Sequence, residues 1–176
     1  MEFDPSLIEN FGSPEPVPEL LHSAYDKAAF SSCTICSKSL EACGLYEIQK
    51  VFHGTEAVFE MAICQACGEA LAREFSEESI ASVHRFLLGN YRPSENCQHC
   101  NFCGLPRGLI PNFTALGVCR SESLVVPTII VCERCTEGLQ EKLSKKTRDV
   151  QGDFIGDHFP GVPEGLDLSP SLSGIF

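Results

Sequence analysis

Eight of the eleven cysteines in this 176-residue chain fall into four Cys-x-x-Cys pairs. Such a pair presents two sulfurs on one side of a tight turn, and a tetrahedral metal ion requires two of these turns facing each other. The pairs therefore predict two four-thiolate sites, each holding a structural zinc ion. The expected ligands of the first site are Cys33, Cys36, Cys64 and Cys67, and those of the second are Cys100, Cys103, Cys132 and Cys135.

The two predicted sites recur along the chain at a nearly constant spacing. Cys33 and Cys100 lie 67 positions apart, and Cys64 and Cys132 lie 68 positions apart, so one residue of slippage relates two copies. This regularity indicates an internal duplication. Modules of about 50 residues rarely bury enough apolar surface to fold without a metal or a disulfide, which favours two small zinc modules over one ordinary domain.

Each copy predicts the same elements around its cysteines. In the first copy, the β-rich runs 45–52 and 57–63 flank a glycine turn and predict a hairpin, after which a helix begins at the second cysteine pair. In the second copy, 113–120 and 124–131 take the place of these runs. Thiolates at a helix N-terminus are favourable because that end carries a partial positive charge.

One further helix is expected in the first copy alone. Ser76 is a good N-cap, the apolar residues of 77–88 keep helical spacing, and Gly89 provides a stop. The sequence shows no equivalent of this helix in the second copy.

A turn bearing two cysteines, a hairpin and a helix, in this order, are typical of a treble-clef zinc finger. The stretch Cys100-Asn-Phe-Cys-Gly, followed by Ile130-Val-Cys-Glu-Arg-Cys, resembles the four-cysteine zinc-binding domain of the ClpX unfoldase family. The resemblance implies a domain that dimerises and holds adaptors and substrates. It does not extend to an ATPase module, since the chain has no Gly-x-x-x-x-Gly-Lys-Ser/Thr loop, and the first copy has Ser37 in place of the family's glycine.

The expected fold class is thus a small, metal-stapled α+β protein with tandem treble-clef-like modules and irregular tails. Its predicted segments are an acidic, proline-rich extension (1–31) with a short helix over 19–30, a first zinc module plus the extra helix (32–92), a second zinc module (93–148), and an apolar, Gly/Pro-rich tail (149–176). The short helix either docks on the first module or is a motif that a partner grips. The tail, with Phe154 and Phe159, either wraps its own modules or binds a partner in extended form.

The net charge of −11 bears on the partners. Residues 1–32 and 149–176 each carry a net −5, and thiolates bound to zinc add further negative charge. An acidic chain is a poor partner for a phosphate backbone, which is bound by Lys and Arg. We therefore expect a protein partner, which could be a second copy of this chain, and no nucleic acid.

The alternative is a nucleic-acid-associated regulator. The one basic cluster consists of Lys142, Lys145, Lys146 and Arg148, and the sequence places it at the end of the last helix. Cations at that end also complement the helix dipole, which is an ordinary structural role.

The compartment follows from the cysteines and the first residues. The cysteine count is odd and most cysteines have metal spacing, which argues against a secreted disulfide protein. The first residues lack the features of a signal peptide, and no apolar run reaches the roughly 20 residues that span a membrane. We therefore expect an intracellular protein of a reducing, cytoplasmic environment.

The remaining cysteines and histidines leave alternatives at the second site. Cys97 competes with Cys103 as the partner of Cys100; Gly104 and the repeat register favour Cys103. His99 could replace one thiolate. Cys43 and Cys119 are expected to be small buried residues. No nucleophile–base pair or open metal site is visible, so the sequence predicts no enzyme.

Overall fold

The computed structural model describes residues 15–162, and the predictions for residues 1–14 and 163–176 lie outside it. The elements in chain order are β1 (Glu15–Pro16), β2 (Leu45–His53), β3 (Glu56–Cys64), α1 (Gln65–Ala72), α2 (Glu77–Asn90), β4 (Asn112–Arg120), β5 (Ser123–Cys132), α3 (Glu133–Gln140) and α4 (Lys145–His158). Short 3-10 turns at Glu19–Leu21, Glu95–Cys97 and Arg107–Leu109 complete them.

The chain forms a small mixed α/β structure around one antiparallel sheet with strand order β1-β5-β4-β2-β3. Both hairpins form close to the predicted positions, β2 with β3 and β4 with β5. They join edge to edge through β2 and β4, which pair along their whole length. The sheet therefore continues from the first copy into the second.

The pairing of β2 with β4 relates the two copies by an approximate twofold axis. Leu45 lies opposite Arg120 and His53 opposite Asn112, while Gln49 lies opposite Leu116. Gln49 and Leu116 are also equivalent in the 67-residue repeat, so the axis passes between them. One chain thus contains the self-complementary contact that a symmetric dimer makes between two subunits.

Both central strands are covered on both faces. Every residue of β2 except His53 is buried, and β4 is buried from Phe113 to Cys119. Successive side chains of a strand point to opposite faces, and Ile48 and Gln49 are both buried, so neither face of β2 is open to solvent. The apolar core runs through the sheet from one copy to the other.

The segment 17–24, called here the N-terminal arm, crosses one face of the sheet. Leu21 is fully buried over Gly117 on β4. At the far end, Glu60 accepts hydrogen bonds from the Ser23 hydroxyl (3.1 Å) and the Ala24 amide (2.8 Å), and it lies 3.4 Å from Lys50. The arm therefore ties both hairpins together.

The helix predicted over 19–30 is wrong. Only one 3-10 turn forms, over Glu19–Leu21, and the chain leaves it at His22 in an extended conformation. The apolar spacing of this segment reflects burial against the sheet, and the hydrogen bonds to Glu60 take the backbone out of a helical path. This segment lies on the chain's own sheet, but it contacts both copies rather than the first module alone.

A second correction concerns the end of the chain. The second copy does contain an equivalent of α2, because α4 starts 68 residues after α2 and has the same length of 14 residues. The tail is therefore helical rather than irregular up to His158. Gly152 and Gly156 have low helix propensity, which is why the sequence did not predict this helix. Packing of its apolar side chains on the first hairpin offsets that low propensity. The contacting residues are Phe154, Ile155 and Phe159 on one side and Val51, Phe59 and Met61 on the other.

The start of α4 also changes the position of the basic cluster from the predicted one. The single last helix expected from the sequence is interrupted: α3 ends at Gln140 and α4 begins at Lys145, with Leu143 buried between them. Three of the four cations thus lie in the first turn of α4 rather than at a helix C-terminus, where the helix dipole would favour them. Lys145 pairs with Asp149 at 2.5 Å, and Arg148 donates to the carbonyl of Leu143.

The N-termini of α2 and α4 meet near the twofold axis. The cap hydroxyls of Ser76 and Ser144 lie 2.8 Å apart. The amide of Ser76 donates to Thr147 Oγ1 (3.0 Å), and the amide of Ser144 donates to Ser79 Oγ (2.8 Å). Each copy therefore helps to cap the helix of the other.

Candidate metal centres

The first cysteine group, called here centre 1, is assembled from three elements of the first copy. Cys33 and Cys36 lie on a tight turn, the knuckle, that follows the N-terminal arm. Cys64 is the last residue of β3 and the N-cap of α1, and Cys67 lies in the first turn of that helix. The Sγ atoms of all four cysteines lie within 4.8 Å of one another.

Centre 2 repeats this arrangement in the second copy. Cys100 and Cys103 form the knuckle, Cys132 ends β5 and caps α3, and Cys135 lies in the first turn of α3. Their Sγ atoms also lie within 4.8 Å of one another. The structure thus brings together the eight predicted ligands in the two predicted sets.

The distances between sulfurs match a tetrahedral ion. Sγ atoms lie 3.8 Å apart for Cys36 and Cys64, 3.8 Å for Cys100 and Cys135, and 3.6 Å for Cys103 and Cys132. Zinc–sulfur bonds of about 2.3 Å give a tetrahedron with edges of about 3.8 Å. A disulfide would require about 2.05 Å, and all eleven cysteines are free. Each group could therefore hold a metal ion, and the donor set is consistent with zinc.

Each knuckle is fixed to the last strand of its hairpin by a residue between its two cysteines. In centre 1 the amide of Thr34 donates to the Ala62 carbonyl (2.8 Å), and the Ala62 amide donates to Thr34 Oγ1 (3.0 Å). In centre 2 Asn101 makes the same two contacts with Ile130, at 2.8 and 2.7 Å. These positioning residues were not predicted, although the repeat alignment places Thr34 and Asn101 at the same position.

Backbone amides also point at the sulfurs. The amide of Cys64 donates to Cys33 Sγ at 3.4 Å, and the amide of Cys132 donates to Cys100 Sγ at 3.5 Å. Donors aimed at a sulfur stabilise its thiolate form and orient it toward the metal. The knuckle backbone reaches this geometry through a left-handed residue after the second cysteine, Ser37 (φ 60°) in centre 1 and Gly104 (φ 74°) in centre 2.

The ionisation of the thiols differs within each centre. Burial raises the pKa of Cys33, but amide hydrogen bonds, chiefly those of Cys36 and Cys64, outweigh it and lower the pKa to about 7. Burial also raises the pKa of Cys103, but hydrogen bonds from the Leu105 amide and from neighbouring cysteines outweigh it and lower the pKa to about 7.

The cysteines on the helices have the opposite tendency. Burial raises the pKa of Cys132 to about 11, and burial followed by the charge of Cys100 raises the pKa of Cys135 further. Burial likewise raises the pKa of Cys67. Four sulfurs this close cannot all ionise without a cation among them, and a divalent ion removes that repulsion.

The other cysteines and His99 lie outside both groups among the described residues. Cys97 is half-buried beside Thr128 and Arg107, and burial raises its pKa. His99 Nδ1 lies 3.1 Å from the Cys100 carbonyl oxygen. Cys119 is buried against Tyr46, and burial raises its pKa to about 12. Cys43 is half-buried.

Comparison with known proteins adds no relative. No family model matches the chain, and neither the curated proteins nor the solved structures include a significant match. None of the helices within residues 15–162 combines the length and the apolar character needed to cross a membrane.

Proposed function

We propose that this chain is a non-catalytic protein-interaction module, an adaptor, whose two cysteine groups each hold a structural zinc ion. The observation that carries the proposal is the closed donor set of each group. Four protein sulfurs occupy all four positions of a tetrahedral ion, whereas a catalytic zinc site keeps one position for water or substrate. The metal then stabilises the fold and performs no chemistry.

The treble-clef and ClpX-like interpretation supports this assignment. Each copy has the knuckle, hairpin and helix in the order of a treble clef, with its cysteines on the knuckle and at the start of the helix. The ClpX zinc-binding domain, which the sequence resembles, dimerises and holds partners. Here two copies in one chain make a dimer-like contact through β2 and β4. Free thiols in metal spacing fit a reducing, cytoplasmic location.

Our candidate partner surface lies outside the described part of the tail, residues 149–162. The rings of Phe59 and Phe159 make an edge contact at 4.9 Å, so the apolar residues of α4 face the chain's own sheet. The large apolar side chains most exposed among the described residues are Tyr25, Leu88 and Leu109, with exposed fractions of 91%, 88% and 67%. We take these three as candidate partner contacts.

An affinity capture with surface variants tests the interaction. Tyr25→Ser, Leu88→Ser and Leu109→Ser should leave zinc content and melting temperature unchanged, because these side chains make few contacts within the chain. At least one variant should lose a protein that the unchanged chain retains, and the purified protein should bind the chain directly. Arg85→Ala, an exposed polar change on the same helix as Leu88, is the matched control. If no variant loses a directly binding protein, the adaptor proposal is wrong at these surfaces.

The nucleic-acid alternative has one supporting observation, the four exposed cations between Lys142 and Arg148. If it holds, the chain binds random duplex or single strands with an affinity that falls steeply with salt, and reversing the charges of Lys145 and Lys146 abolishes the binding. We expect no such binding near physiological salt, because Asp149 pairs with Lys145 and the chain carries a net charge of −11.

A further inference from the structure

The two centres share their sulfur geometry but differ in how well protein covers them. Cys36 in centre 1 is exposed, whereas the other seven cysteines of the two groups are buried or half-buried. Its counterpart Cys103 is half-buried. The difference extends along the knuckles: residues 36–39 are all exposed, while 101–102 are buried and 103–105 half-buried.

The cover on centre 2 comes from the end of α2. The ring of Phe86 lies 5.1 Å from that of Phe102 between the knuckle cysteines, and the ring of Tyr91 lies 6.3 Å from it. The amide of Arg92 donates to the Asn101 carbonyl at 2.6 Å. The equivalent helix, α4, makes its edge contact with Phe59 of the sheet. In the centre 1 knuckle, the counterpart of the buried Phe102 is Ile35, which is only half-buried.

The charge around the sulfurs differs in the same direction. Arg134, in the first turn of α3, places an exposed cation between the ligands Cys132 and Cys135. The equivalent residue in α1 is Ala66, which brings no charge. A cation close to a thiolate stabilises it, lowers its pKa and so makes it a weaker nucleophile. Centre 1 therefore has the more accessible sulfur, and it has no cation at the position equivalent to Arg134.

We propose that Cys36 is the site at which peroxides react with this protein, and that the reaction releases the metal of centre 1 while centre 2 keeps its own. The proposal rests on the zinc binding proposed above. It goes beyond a structural role, because it assigns a modification site to one of the eight ligands.

The reaction requires only a peroxide. The Cys36 thiolate attacks one peroxide oxygen, so that an S–O bond forms, the O–O bond breaks and hydroxide leaves, which yields a sulfenic acid. The thiolate of Cys64, whose sulfur lies 3.8 Å away, then attacks the Cys36 sulfur and displaces a second hydroxide. The two sulfurs lose two electrons in total and the peroxide gains them. The disulfide leaves the ion with two of its four ligands, and a thiol reductant reverses the step.

The test uses the full chain loaded with zinc and treated with hydrogen peroxide. A chromogenic chelator follows released zinc, and mass spectrometry of digested samples locates the modified cysteines. We expect one equivalent of zinc to leave before the second, together with a disulfide that joins Cys36 to another centre 1 ligand. Dithiothreitol and added zinc should restore the original state.

Two variants that exchange the residue types at the equivalent positions 66 and 134 test whether the local charge sets the rate of zinc release. Ala66→Arg should slow the first release by roughly fivefold, and Arg134→Ala should speed the second release by a similar factor, the effect of one unit charge at about 4 Å in water. Both positions are exposed and neither is a ligand, so the fold and the zinc content should not change.

The outcomes separate this inference from the zinc assignment. If the untreated protein holds two zinc ions but both leave at the same rate, or if oxidation starts at Cys103 or Cys97, the inference is wrong and the zinc assignment stands. If the untreated protein holds no zinc, the zinc assignment itself is wrong.

Discussion

The two halves of this chain contain the same elements, but the second helix of each half packs on a different part of the opposite half. Helix α2 of the first half packs on the second half, where Phe86 contacts Phe102 of the knuckle and Val83 contacts Leu139 and Leu143. Helix α4 of the second half packs instead on the first hairpin, against Val51, Phe59 and Met61. The two halves thus share a backbone plan but differ in packing.

This exchange has two consequences. Each half depends on the other for part of its core, so neither is expected to fold alone. At centre 2, α2 packs on the knuckle, and residues 100–105 are buried or half-buried. At centre 1, residues 36–39 of the knuckle are exposed. Two four-cysteine groups with one sulfur geometry therefore differ in exposure because of what packs outside them.

The largest effect should come from removing one ligand of centre 2. Cys103→Ser should cost the second metal and destabilise the whole chain in one cooperative transition, because the sheet and core run through both halves. Structural zinc contributes about 10 kcal/mol or more to small zinc-bound folds at neutral pH, so the loss should be several kcal/mol. Metal analysis and denaturant unfolding measure it.

The control for this variant is Cys97→Ser, which should retain both metals because Cys97 lies outside the sulfur group. Two separate unfolding transitions for Cys103→Ser would show that the halves are independent. Metal loss from Cys97→Ser would show that the knuckle is assigned one register off.

A smaller effect is expected where the N-terminal arm crosses the second half. A Cβ on Gly117 would lie 2.4 Å from Leu21 Cδ1 and 3.0 Å from Leu124 Cδ1. Gly117→Ala should therefore displace the arm and cost about 1–3 kcal/mol, as overpacking of a core does. Gly108→Ala, whose new Cβ meets nothing within 4 Å, is the control. Equal melting temperatures for the two variants would contradict the position of the arm.

The shared caps test whether the two second helices are coupled. Ser76→Ala and Ser144→Ala should each cost about 1 kcal/mol, the usual loss for an N-cap hydroxyl. The double variant should cost less than the sum, because the two hydroxyls lie 2.8 Å apart and share a network with Ser79 and Thr147. Urea unfolding of the three variants gives the coupling energy, and strict additivity would argue against contact between the caps.

The smallest effects should have opposite signs at the two knuckles. Gly104→Ser should destabilise the chain by about 1 kcal/mol, because a side chain at φ +74° is strained and its Cβ would lie 3.3 Å from Arg92 Nη1. Ser37→Gly relieves the same strain at centre 1 and should stabilise the chain by a few tenths of a kcal/mol. Thermal unfolding measures both, and a shift of the same sign would show that the two knuckles differ in backbone geometry.

The sequence predicted the parts of this molecule that local chemistry dictates. The Cys-x-x-Cys spacing predicted the two sulfur groups, and the β-rich runs around a turn predicted the hairpins. The N-cap and periodicity of Ser76 and the residues after it predicted α2. Each of these signals lies within a few residues of the element that it describes.

The parts that were missed depend on distant contacts. The apolar spacing of Leu20, Leu21 and Ala24 indicated a helix, but tertiary burial against β4 and the hydrogen bonds to Glu60 decided otherwise. Helix α4 was missed because two glycines interrupt it, although Ser144 and Thr147 repeat the cap pattern of Ser76 and Ser79. The joining of the hairpins through β2 and β4 has no local signal, because strand pairing between copies is set by the whole sheet.

The central claim is that each half holds one metal ion in its four-cysteine group. Elemental analysis of protein purified without added metal, combined with native mass spectrometry, tests it most directly. We expect two zinc ions per chain, with one lost in Cys103→Ser and the other lost in Cys67→Ser. A chain that holds one ion or none, or that holds two ions after either substitution, would contradict the claim.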